Sequence, residues 1–319
     1  MSRVRRWAPV AYPVGLLALT ALGVVAPQRD GPLALAQVFL PWLYLPLLAL
    51  LPHAALLRDR LLLLGLAACA LAFGVHLGPE YVPSGRSTSD TAGPRLTVTS
   101  WNVLVSNSPA AVTAGVRALD SDVVGLVELT PRQARFLATD PVVAARWPHR
   151  VLVPEQGRAL LSKRPVRARG VAVDPAARPG SAVLWARLDG ITVAVAHPLP
   201  ASMPPSYDTT RRDAEIAFTR RVTDGLPGRV LLVGDFNVTD REPGARTLVT
   251  GLHDAHAEVG WGAGNSWAPL RVRERGMALV RIDRALGGPG VVPAAVHTDC
   301  TWRGSDHCMV TAAFEVSSP

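Results

Sequence analysis

The chain is poor in cysteine, in charge and in lysine, and each shortage excludes a class of protein. Its three cysteines cannot build a disulfide framework by themselves. Charged residues make up only 18% of the 319 residues and hydrophobic residues 49%, which is too apolar for a disordered protein. A single lysine accompanies 32 arginines, a bias typical of a GC-rich genome. The mean hydropathy of +0.21 is high for a purely soluble protein and indicates membrane-embedded sequence.

Patterns that bind soft metals are also absent. No Cys-x-x-Cys or His-x-x-x-His pair occurs, which argues against a zinc site. Cys300 and Cys308 are eight residues apart and flank a stretch that fits a turn between two strands. The sequence allows either a disulfide there or two reduced, packed cysteines, and it does not decide between them.

Three uncharged apolar runs occupy the first 77 residues. They cover 8–26, 33–51 and 61–77, with lengths of 19, 19 and 17 residues. A helix needs about 20 residues to cross the hydrocarbon core of a bilayer. The sequence therefore predicts a three-helix membrane anchor over 1–77. Residues 78–94 are rich in Gly, Pro, Ser and Thr and are predicted to be a linker, followed by a separate domain over 95–319.

Basic residues are distributed unevenly over the loops of this anchor. Five arginines lie before the first run or between the second and third: Arg3, Arg5, Arg6, Arg58 and Arg60. The loop between the first two runs carries only Arg29 and Asp30. The positive-inside rule then predicts a multi-pass protein of the cell membrane with a cytoplasmic N-terminus, an extracytoplasmic domain over 95–319 and the lipid bilayer as a partner.

The outer domain is predicted to consist of short strands and fewer helices, which indicates an α/β fold with packed sheets. The predicted strands are 96–103, 123–129, 158–162, 181–188, 191–197, 229–236, 279–285 and 308–316. The predicted helices are 110–119, 131–138 and 210–223. The last of these is expected to pack through Ala214, Ala217 and Phe218.

Three of the predicted strands end in polar residues. Their apolar stretches finish in Asn102, Glu128 and Asp235. Polar tips on buried strands must be paired, solvated at a cleft or bound to metal. Each residue alone is also compatible with an ordinary turn or cap. Asp283 adds a carboxylate in another β-prone run, and Asp306 with His307 lies directly before the last strand.

Together these motifs resemble the endonuclease/exonuclease/phosphatase superfamily. The motifs are Ser100-Trp101-Asn102, the Glu128 that ends VVGLVE, the GDFN of 234–237, the RID of 281–283 and the SDH of 305–307. They occur in the order and approximate spacing of that superfamily, over essentially 95–316. The resemblance implies a four-layered α/β sandwich, in which two mixed β-sheets are flanked by helices. It also implies a metal-dependent phosphoric ester hydrolase.

Two kinds of positive group are expected to neutralise the phosphate. The resemblance implies Mg²⁺, for which Mn²⁺ may substitute, with Glu128 as the main ligand and Asn102 and Asp306 nearby. Mg²⁺ prefers carboxylate, amide and water oxygens. Whether one or two ions bind stays open. Arg158 is a candidate phosphate contact, with an ordinary surface arginine as the alternative.

The catalytic roles implied by the resemblance fall on five residues. Asp235 is expected to orient or deprotonate the attacking water, and Asn237 and His197 to hold phosphate oxygens. His307 is expected to bind the phosphoryl oxygen or act as acid or base, with Asp283 fixing its tautomer. The division of roles among Asp235, Asp283 and His307 stays open, because coupled groups cannot be assigned from sequence order.

The substrate is less well defined than the reaction. The arrangement of apolar runs and outer domain resembles the actinomycete membrane proteins associated with teicoplanin resistance (VanJ-like), which implies a lipid-linked cell-wall intermediate such as undecaprenyl pyrophosphate. The alternatives are an extracellular nuclease, a phospholipid phosphodiesterase or a non-catalytic membrane-bound module. From residue 84 onward there are 27 basic and 22 acidic residues, so no stable nucleic-acid complex is expected. The sequence does not define the oligomeric state.

Overall fold

The computed structural model describes residues 3–85, 93–175, 181–202 and 207–317, and the described residues form two six-stranded mixed sheets. The strands are β1 (Arg95–Asn102), β2 (Val123–Val127), β3 (His149–Val153), β4 (Arg158–Ser162), β5 (Ala168–Val173), β6 (Ala182–Arg187), β7 (Ile191–Ala196), β8 (Arg229–Asp235), β9 (His253–Asp254), β10 (Asp283–Gly287), β11 (Val291–Asp299) and β12 (Met309–Val316). The first sheet has the order β11-β12-β1-β2-β4-β3 and the second β5-β6-β7-β8-β10-β9.

Helices cover the outer faces of the two sheets. In the domain they are α6 (Pro109–Arg117), α7 (Pro131–Thr139), α8 (Pro141–Arg146), α9 (Thr210–Asp224), α10 (Pro243–Val249), α11 (Ala255–Val259) and α12 (Leu270–Arg273). The central core joins the inner faces of the sheets, for example Val98 and Val123 with Val195 and Val233. A second cluster packs α6, α7 and α8 on the first sheet, and a third packs α9 and α10 on the other. The predicted four-layered α/β sandwich is confirmed.

The strand directions bring polar residues to one end of the sandwich. β1 and β2 are parallel, as are β7 and β8, and these four strands end on the same side. β10 runs antiparallel to β8 and β12 antiparallel to β1, so both begin where the others end. We call this end the site rim. Every predicted site residue lies at a strand end or loop of this rim, including Arg158, which begins β4 opposite the end of β2.

Several sequence predictions about elements need correction. β3, β5, β9 and β11 are present but were not predicted, and the strand expected over 279–285 begins only at Asp283. β5 is an edge strand whose residues alternate between half-buried and exposed, so it lacks a continuous apolar run. β11 contains Pro293 at a register shift, which breaks the pattern typical of a strand.

The packing face of α9 agrees with the prediction only in part. Phe218 is half-buried and packs against the third cluster, but Ala214 is exposed, and the fully buried residues include Arg212 and Ile216. Arg212 donates to the Glu242 carboxylate at 2.6 Å, so its charge is paired inside the protein. A prediction based on apolar residues alone does not detect a buried arginine of this kind.

The N-terminal region contains α1 (Arg3–Val25), α2 (Gly31–Val38), α3 (Leu40–Leu43), α4 (Pro46–Leu57) and α5 (Arg60–Ala72), with α5 continued by a π-helical turn, Phe73–Leu77, and a 3-10 turn, Gly78–Glu80. Among the described residues, Leu40–Leu57 and Arg60–Glu80 are long and apolar enough to cross a membrane, and Val10–Val25 is a shorter apolar helix. Three clear spans are therefore not found. The predicted run 33–51 is not one continuous helix, because short helices restart with Pro41 and Pro46 in their first turns.

The N-terminal helices contact the sandwich directly. Trp42 donates its indole N–H to the Leu279 carbonyl at 2.7 Å. Arg241 donates to the carbonyls of Gln37 and Val38 near the end of α2, at 3.1 and 2.8 Å. In the predicted linker, Ser84 donates its backbone N–H to Ala257 at 2.9 Å, and 86–92 lie outside the described residues. The described part of this segment is thus bonded to the domain.

Candidate active site

The centre of the site rim is a hydrogen-bonded set of one amide and two carboxylates. The Asn102 side-chain amide donates to Glu128 Oε1 at 2.9 Å and to Asp235 Oδ2 at 3.0 Å. Glu128 Oε2 accepts from the backbone N–H of Val105 at 3.2 Å. The three polar strand ends that the sequence singled out therefore meet, although 133 residues separate Asn102 from Asp235.

His197 and Asn237 complete one side of this cluster. His197 follows β7, and its Nε2 lies 3.4 Å from Asp235 Oδ2 and 3.7 Å from Glu128 Oε1. Asn237 places its side-chain nitrogen 3.2 Å from the same imidazole nitrogen. Its backbone N–H donates to Asp235 Oδ1 at 2.9 Å. The His197 side chain and the Asn237 backbone N–H thus both approach the carboxylate that ends β8.

His307 and Asp283 form a buried pair on the other side. His307 Nδ1 lies 2.8 Å from Asp283 Oδ2, while its Nε2 lies 3.5 Å from Asp235 Oδ2. Asp283 and Asp235 face each other in the register of β10 and β8. This arrangement leaves Asp283 to orient the imidazole ring and Asp235 to face its second nitrogen.

The backbone of two site residues is in the left-handed region. Glu128, directly after β2, has φ 59°, and Asn237, two residues after the end of β8, has φ 52°. A non-glycine residue in this region costs of order 1–3 kcal/mol and persists only where its surroundings hold it. Each residue is held by a hydrogen bond to the cluster, so this strain aims the two side chains at the rim.

Burial and neighbouring charges separate the acid–base properties of the cluster. Burial opposes ionisation of Asp235, but the charges of His307 and His197 and the N–H of Asn237 outweigh it and lower its pKa to about 2. Burial and the nearby charge of Asp235 raise the pKa of Asp283 against the opposing charge of His307. Burial would lower the pKa of His307, yet Asp283 and Asp235 raise it well above its usual value. The cluster therefore holds a proton on the His307–Asp283 pair beside an ionised Asp235.

Arg158 lies at the rim end of β4 but is buried. The residue is 2% exposed, and its guanidinium donates to the carbonyls of Gln156 and His197, the latter at 3.1 Å. Burial lowers its pKa to about 10 against the nearby Glu215, so it stays charged at neutral pH. Its observed contact holds the backbone of His197, and a direct contact with phosphate stays a prediction.

A disulfide closes the loop that carries Asp306 and His307. Cys300 and Cys308 are bonded, with Cα atoms 4.4 Å apart, which settles the question that the sequence left open. Asp306 Oδ2 accepts from the Trp267 indole at 2.9 Å, and its Oδ1 lies 3.9 Å from His307 Nε2. Asp306 therefore contacts the His307 side of the cluster, and its role as a metal ligand beside Glu128 stays a prediction.

The residues present fit a divalent cation that prefers oxygen ligands. The ligand atoms of Glu128, His197 and Asp235 all lie within 4.8 Å of one another. Within the described parts of the chain, the buried Oδ1 of Asp306 accepts no hydrogen bond. A hard cation can bind where carboxylates lie close together and a carboxylate oxygen accepts no hydrogen bond.

Two serines support the site in a way that sequence reasoning did not predict. The Ser266 hydroxyl accepts the backbone N–H groups of Ile282 and Asp283 at 3.2 and 3.1 Å. Ser305 donates to the Asn102 carbonyl at 2.7 Å and accepts from the His307 N–H at 3.1 Å. Both serines belong to motifs recognisable in the sequence, but only the fold shows which backbone groups they bind.

Comparison with known proteins points in the same direction. Residues 99–307, about two thirds of the chain, match the model of the Endonuclease/Exonuclease/phosphatase family. The structure is similar to that of the 3' phosphatase NExo from Neisseria bound to a product DNA hairpin, with 21% identity, a TM-score of 0.54 and coverage of 69% of this chain and 99% of that one. No curated protein matches the chain.

Two further solved structures share the fold. Truncated Caenorhabditis elegans TDP2 is 18% identical with a TM-score of 0.53, over 70% of this chain and 98% of that one. A Bacteroides vulgatus endonuclease/exonuclease/phosphatase is 15% identical with a TM-score of 0.56, over 70% of this chain and all of that one. Since the family model spans the same strands that build the rim cluster, the chain belongs to the endonuclease/exonuclease/phosphatase family of metal-dependent phosphoester hydrolases.

Proposed function

We propose that this protein is a membrane-anchored, outward-facing phosphohydrolase that uses Mg²⁺, or Mn²⁺ in its place, to cleave a phosphate ester or pyrophosphate on a lipid-linked molecule. The observation that carries the proposal is the position of the site rim. The apolar helix α2 packs Ala34 and Val38 against two loops of this rim. One loop, with Ala201 and Tyr207, follows His197, and the other, with Val280 and Ile282, leads into Asp283.

The exposed surface of α4 and α5 supports a membrane location. Both helices expose large leucines, including Leu48 at 69%, Leu56 at 83% and Leu64 at 67%. A soluble monomer rarely exposes apolar side chains in such density. With these helices in a bilayer, the rim loops that contact α2 lie beside the membrane surface, where a lipid-linked phosphate would be presented.

Three observations support the proposed orientation. The loop between α1 and α2 is bonded to the domain, since Gly31 donates to the Tyr207 carbonyl at 2.8 Å and Thr209 to that of Arg29 at 3.1 Å. This loop and the domain would therefore lie on one side of the membrane. The arginine-bearing turn between α4 and α5 is on the cytoplasmic side by the positive-inside rule. A Cys300–Cys308 disulfide is also typical of an oxidising, extracytoplasmic compartment.

The residues of the rim have complementary roles in the proposed reaction. Asp235 stays ionised and accepts a hydrogen bond from the attacking water, which it orients towards phosphorus. The nitrogens of His197 and Asn237 donate to phosphate oxygens, and protonated His307, held by Asp283, donates to the oxygen on which charge develops. Glu128, with Asn102 and Asp306 nearby, would hold Mg²⁺, which when bound neutralises phosphate charge.

The proposal is tested by a substrate panel with the purified full-length protein in lipid nanodiscs. Undecaprenyl pyrophosphate, phospholipids and duplex DNA are assayed side by side with Mg²⁺, with Mn²⁺ and after chelation. We expect release of phosphate from the lipid pyrophosphate that stops on chelation and returns with either ion. Preferential cleavage of DNA or of phospholipid would replace the proposed substrate, and full activity after exhaustive chelation would exclude the metal.

We extend the proposal, on the resemblance to the teicoplanin-resistance proteins, to a contribution to glycopeptide resistance. Expression of the wild-type chain in a susceptible host should raise the inhibitory concentration of teicoplanin, and expression of Glu128→Gln should not. If both chains raised the inhibitory concentration equally, the resistance would not depend on hydrolysis.

A further inference from the structure

A large cavity, open to the outside where Leu48 is 69% exposed, lies between the apolar helices and the domain. Its volume is about 770 Å³, within the range of 300–1,000 Å³ common for small-molecule sites. The helical wall is apolar and includes Leu45, Leu48, Leu51, Leu63, Ala67 and Phe73. None of these side chains offers a partner for water, so the interior favours hydrocarbon over water.

The cavity is lined opposite the apolar wall by charged residues that are already paired. Arg281 binds the carboxylates of Asp240 and Asp254, and Arg241 pairs with Glu80. Two arginines and two of their acidic partners line this side, so it carries no excess positive charge. The cavity therefore lacks the unpaired cation that a phosphate group would need, and its chemistry suits the chain of a lipid rather than its headgroup.

A short chain of contacts connects the cavity to the active site. Leu279 lines the cavity and donates its backbone N–H to the Trp267 carbonyl at 2.7 Å. The Trp267 ring lies 6.5 Å from the ring of His307, and its indole N–H donates to Asp306. Leu279 at the cavity is thus connected to His307 at the rim through a single residue, Trp267.

We infer that this cavity holds the hydrocarbon chain of the lipid phosphate while its phosphate occupies the rim cluster. This inference rests on the proposed function and names the part of the protein that selects a long-chain substrate. The wall helices are those with the lengths and apolar surfaces of membrane spans, so hydrocarbon chains are the molecules that reach the cavity from the bilayer.

The test compares two substitutions on one helix. Ala67 lines the cavity, whereas its neighbour Ala68 is exposed on α5 and does not line it. Full-length Ala67→Phe and Ala68→Phe in nanodiscs are assayed with undecaprenyl pyrophosphate and with geranyl pyrophosphate, whose short chain does not fill the cavity. We expect Ala67→Phe to raise KM for the long substrate at least tenfold and to change kcat/KM for the short one less than twofold. Ala68→Phe should change neither.

Equal kinetics of the two variants with the long substrate would overturn the inference. Loss of the short-chain activity in Ala67→Phe would indicate misfolding, and photocrosslinking of the wild-type protein then decides. An alkyl phosphate with a diazirine near the end of its chain should label peptides containing Leu45–Leu51 and Leu63–Phe73. Labelling spread evenly over all lipid-facing leucines would also overturn the inference. If the wild-type protein cleaves neither pyrophosphate, the proposed function is wrong. The crosslinking pattern would still show whether a hydrocarbon chain binds in the cavity.

Discussion

At the residue scale, the site depends on carboxylates that burial alone would neutralise. Asp235 is 1% exposed and Asp283 2%, yet Asp235 stays ionised because imidazole and amide groups surround it. Glu128 is more exposed and faces both His197 and the Asn102 amide. The more exposed carboxylate of Glu128 is therefore suited to binding a cation, and the buried carboxylates of Asp235 and Asp283 are suited to acid–base roles.

The first prediction concerns Glu128. Glu128→Gln keeps the size of the side chain but removes the charge that would hold the cation. We expect kcat/KM to fall by about 10²–10⁴-fold, a loss on the scale of removing one essential catalytic group, with a higher Mg²⁺ concentration needed for half-maximal rate. Steady-state kinetics over a Mg²⁺ titration measure both. Exposed Glu155→Gln is the control, and near-normal rates in Glu128→Gln would remove this residue from the site.

The second prediction concerns the pH dependence set by Asp283. Asp283 raises the pKa of His307, so His307 stays protonated to higher pH when the carboxylate is present. Asp283→Asn removes that charge and lowers the pKa of His307. We expect the alkaline limb of kcat/KM to move to lower pH and the maximum rate to fall by about 100-fold. An alkaline limb that stays in place would show that another group sets it.

At the element scale, strand ends and one bridged loop position the chemistry. β1, β2, β7 and β8 deliver their last residues to the rim, whereas His307 comes from a loop before β12. That loop is tied by the Cys300–Cys308 disulfide and by Ser305 to Asn102. The position of His307 therefore depends on cross-links rather than on a strand.

The third prediction follows from this cross-link. The double substitution Cys300→Ser and Cys308→Ser frees a loop whose ends are eight positions apart in the sequence, and closing a short loop is worth about 2 kcal/mol. We expect a lower Tm by calorimetry and a lower kcat, because His307 loses its fixed position. Reductant should lower the wild-type Tm in the same way and leave the double variant unchanged. A wild-type Tm insensitive to reductant, with unchanged kcat, would contradict the prediction.

At the scale of the whole molecule, buried ion pairs connect the second sheet to the N-terminal helices. Arg281 and Arg284 each bind both Asp240 and Asp254. Arg241, which directly follows Asp240 in the sequence, binds the end of α2. Burial would raise the pKa of Asp254, but the charges of the two arginines outweigh it and lower it. This network sits between β10, which begins at Asp283 of the site rim, and the helices proposed to lie in the membrane.

The fourth prediction is an acid-sensitive stability contribution from this network. A carboxylate with a lowered pKa in the folded state stabilises the fold above its unfolded pKa of about 3.9 and loses that effect as the pH falls through the folded value. Asp254→Asn should cost roughly 3 kcal/mol at neutral pH, because it leaves buried arginines less well paired. Chemical denaturation from pH 7 to pH 2 should show the difference from wild type narrowing below about pH 4.

A matched exposed pair provides the control. Asp189→Asn breaks the Arg167–Asp189 ion pair, whose side chains are both more than half exposed, and its midpoint of denaturation should equal that of the wild type. A constant difference between Asp254→Asn and wild type at all pH values would show that packing, and not charge, explains the loss.

The amino-acid sequence was enough to predict the family and most residues of the candidate site. Asn102, Glu128 and Asp235 each end an apolar run, a pattern that follows from strand periodicity. His307 was identified instead through the resemblance of the SDH motif at 305–307 to the family. The runs of apolar residues in the first 77 positions were equally visible. Their division into helices was not, since Pro41 and Pro46 act through backbone groups that hydropathy does not describe.

The contacts that these residues make depend on the three-dimensional fold. Three features depend on a partner residue or join positions far apart in the chain. They are the burial of Arg212 and Arg158, the pairing of Cys300 with Cys308 and the contact of α2 with the site rim. Their energies come from pairing in space, which no local window contains. The cavity behind Leu279 could not be predicted for the same reason. Its two walls come from separate parts of the sequence and form one surface only when the helices pack on the domain.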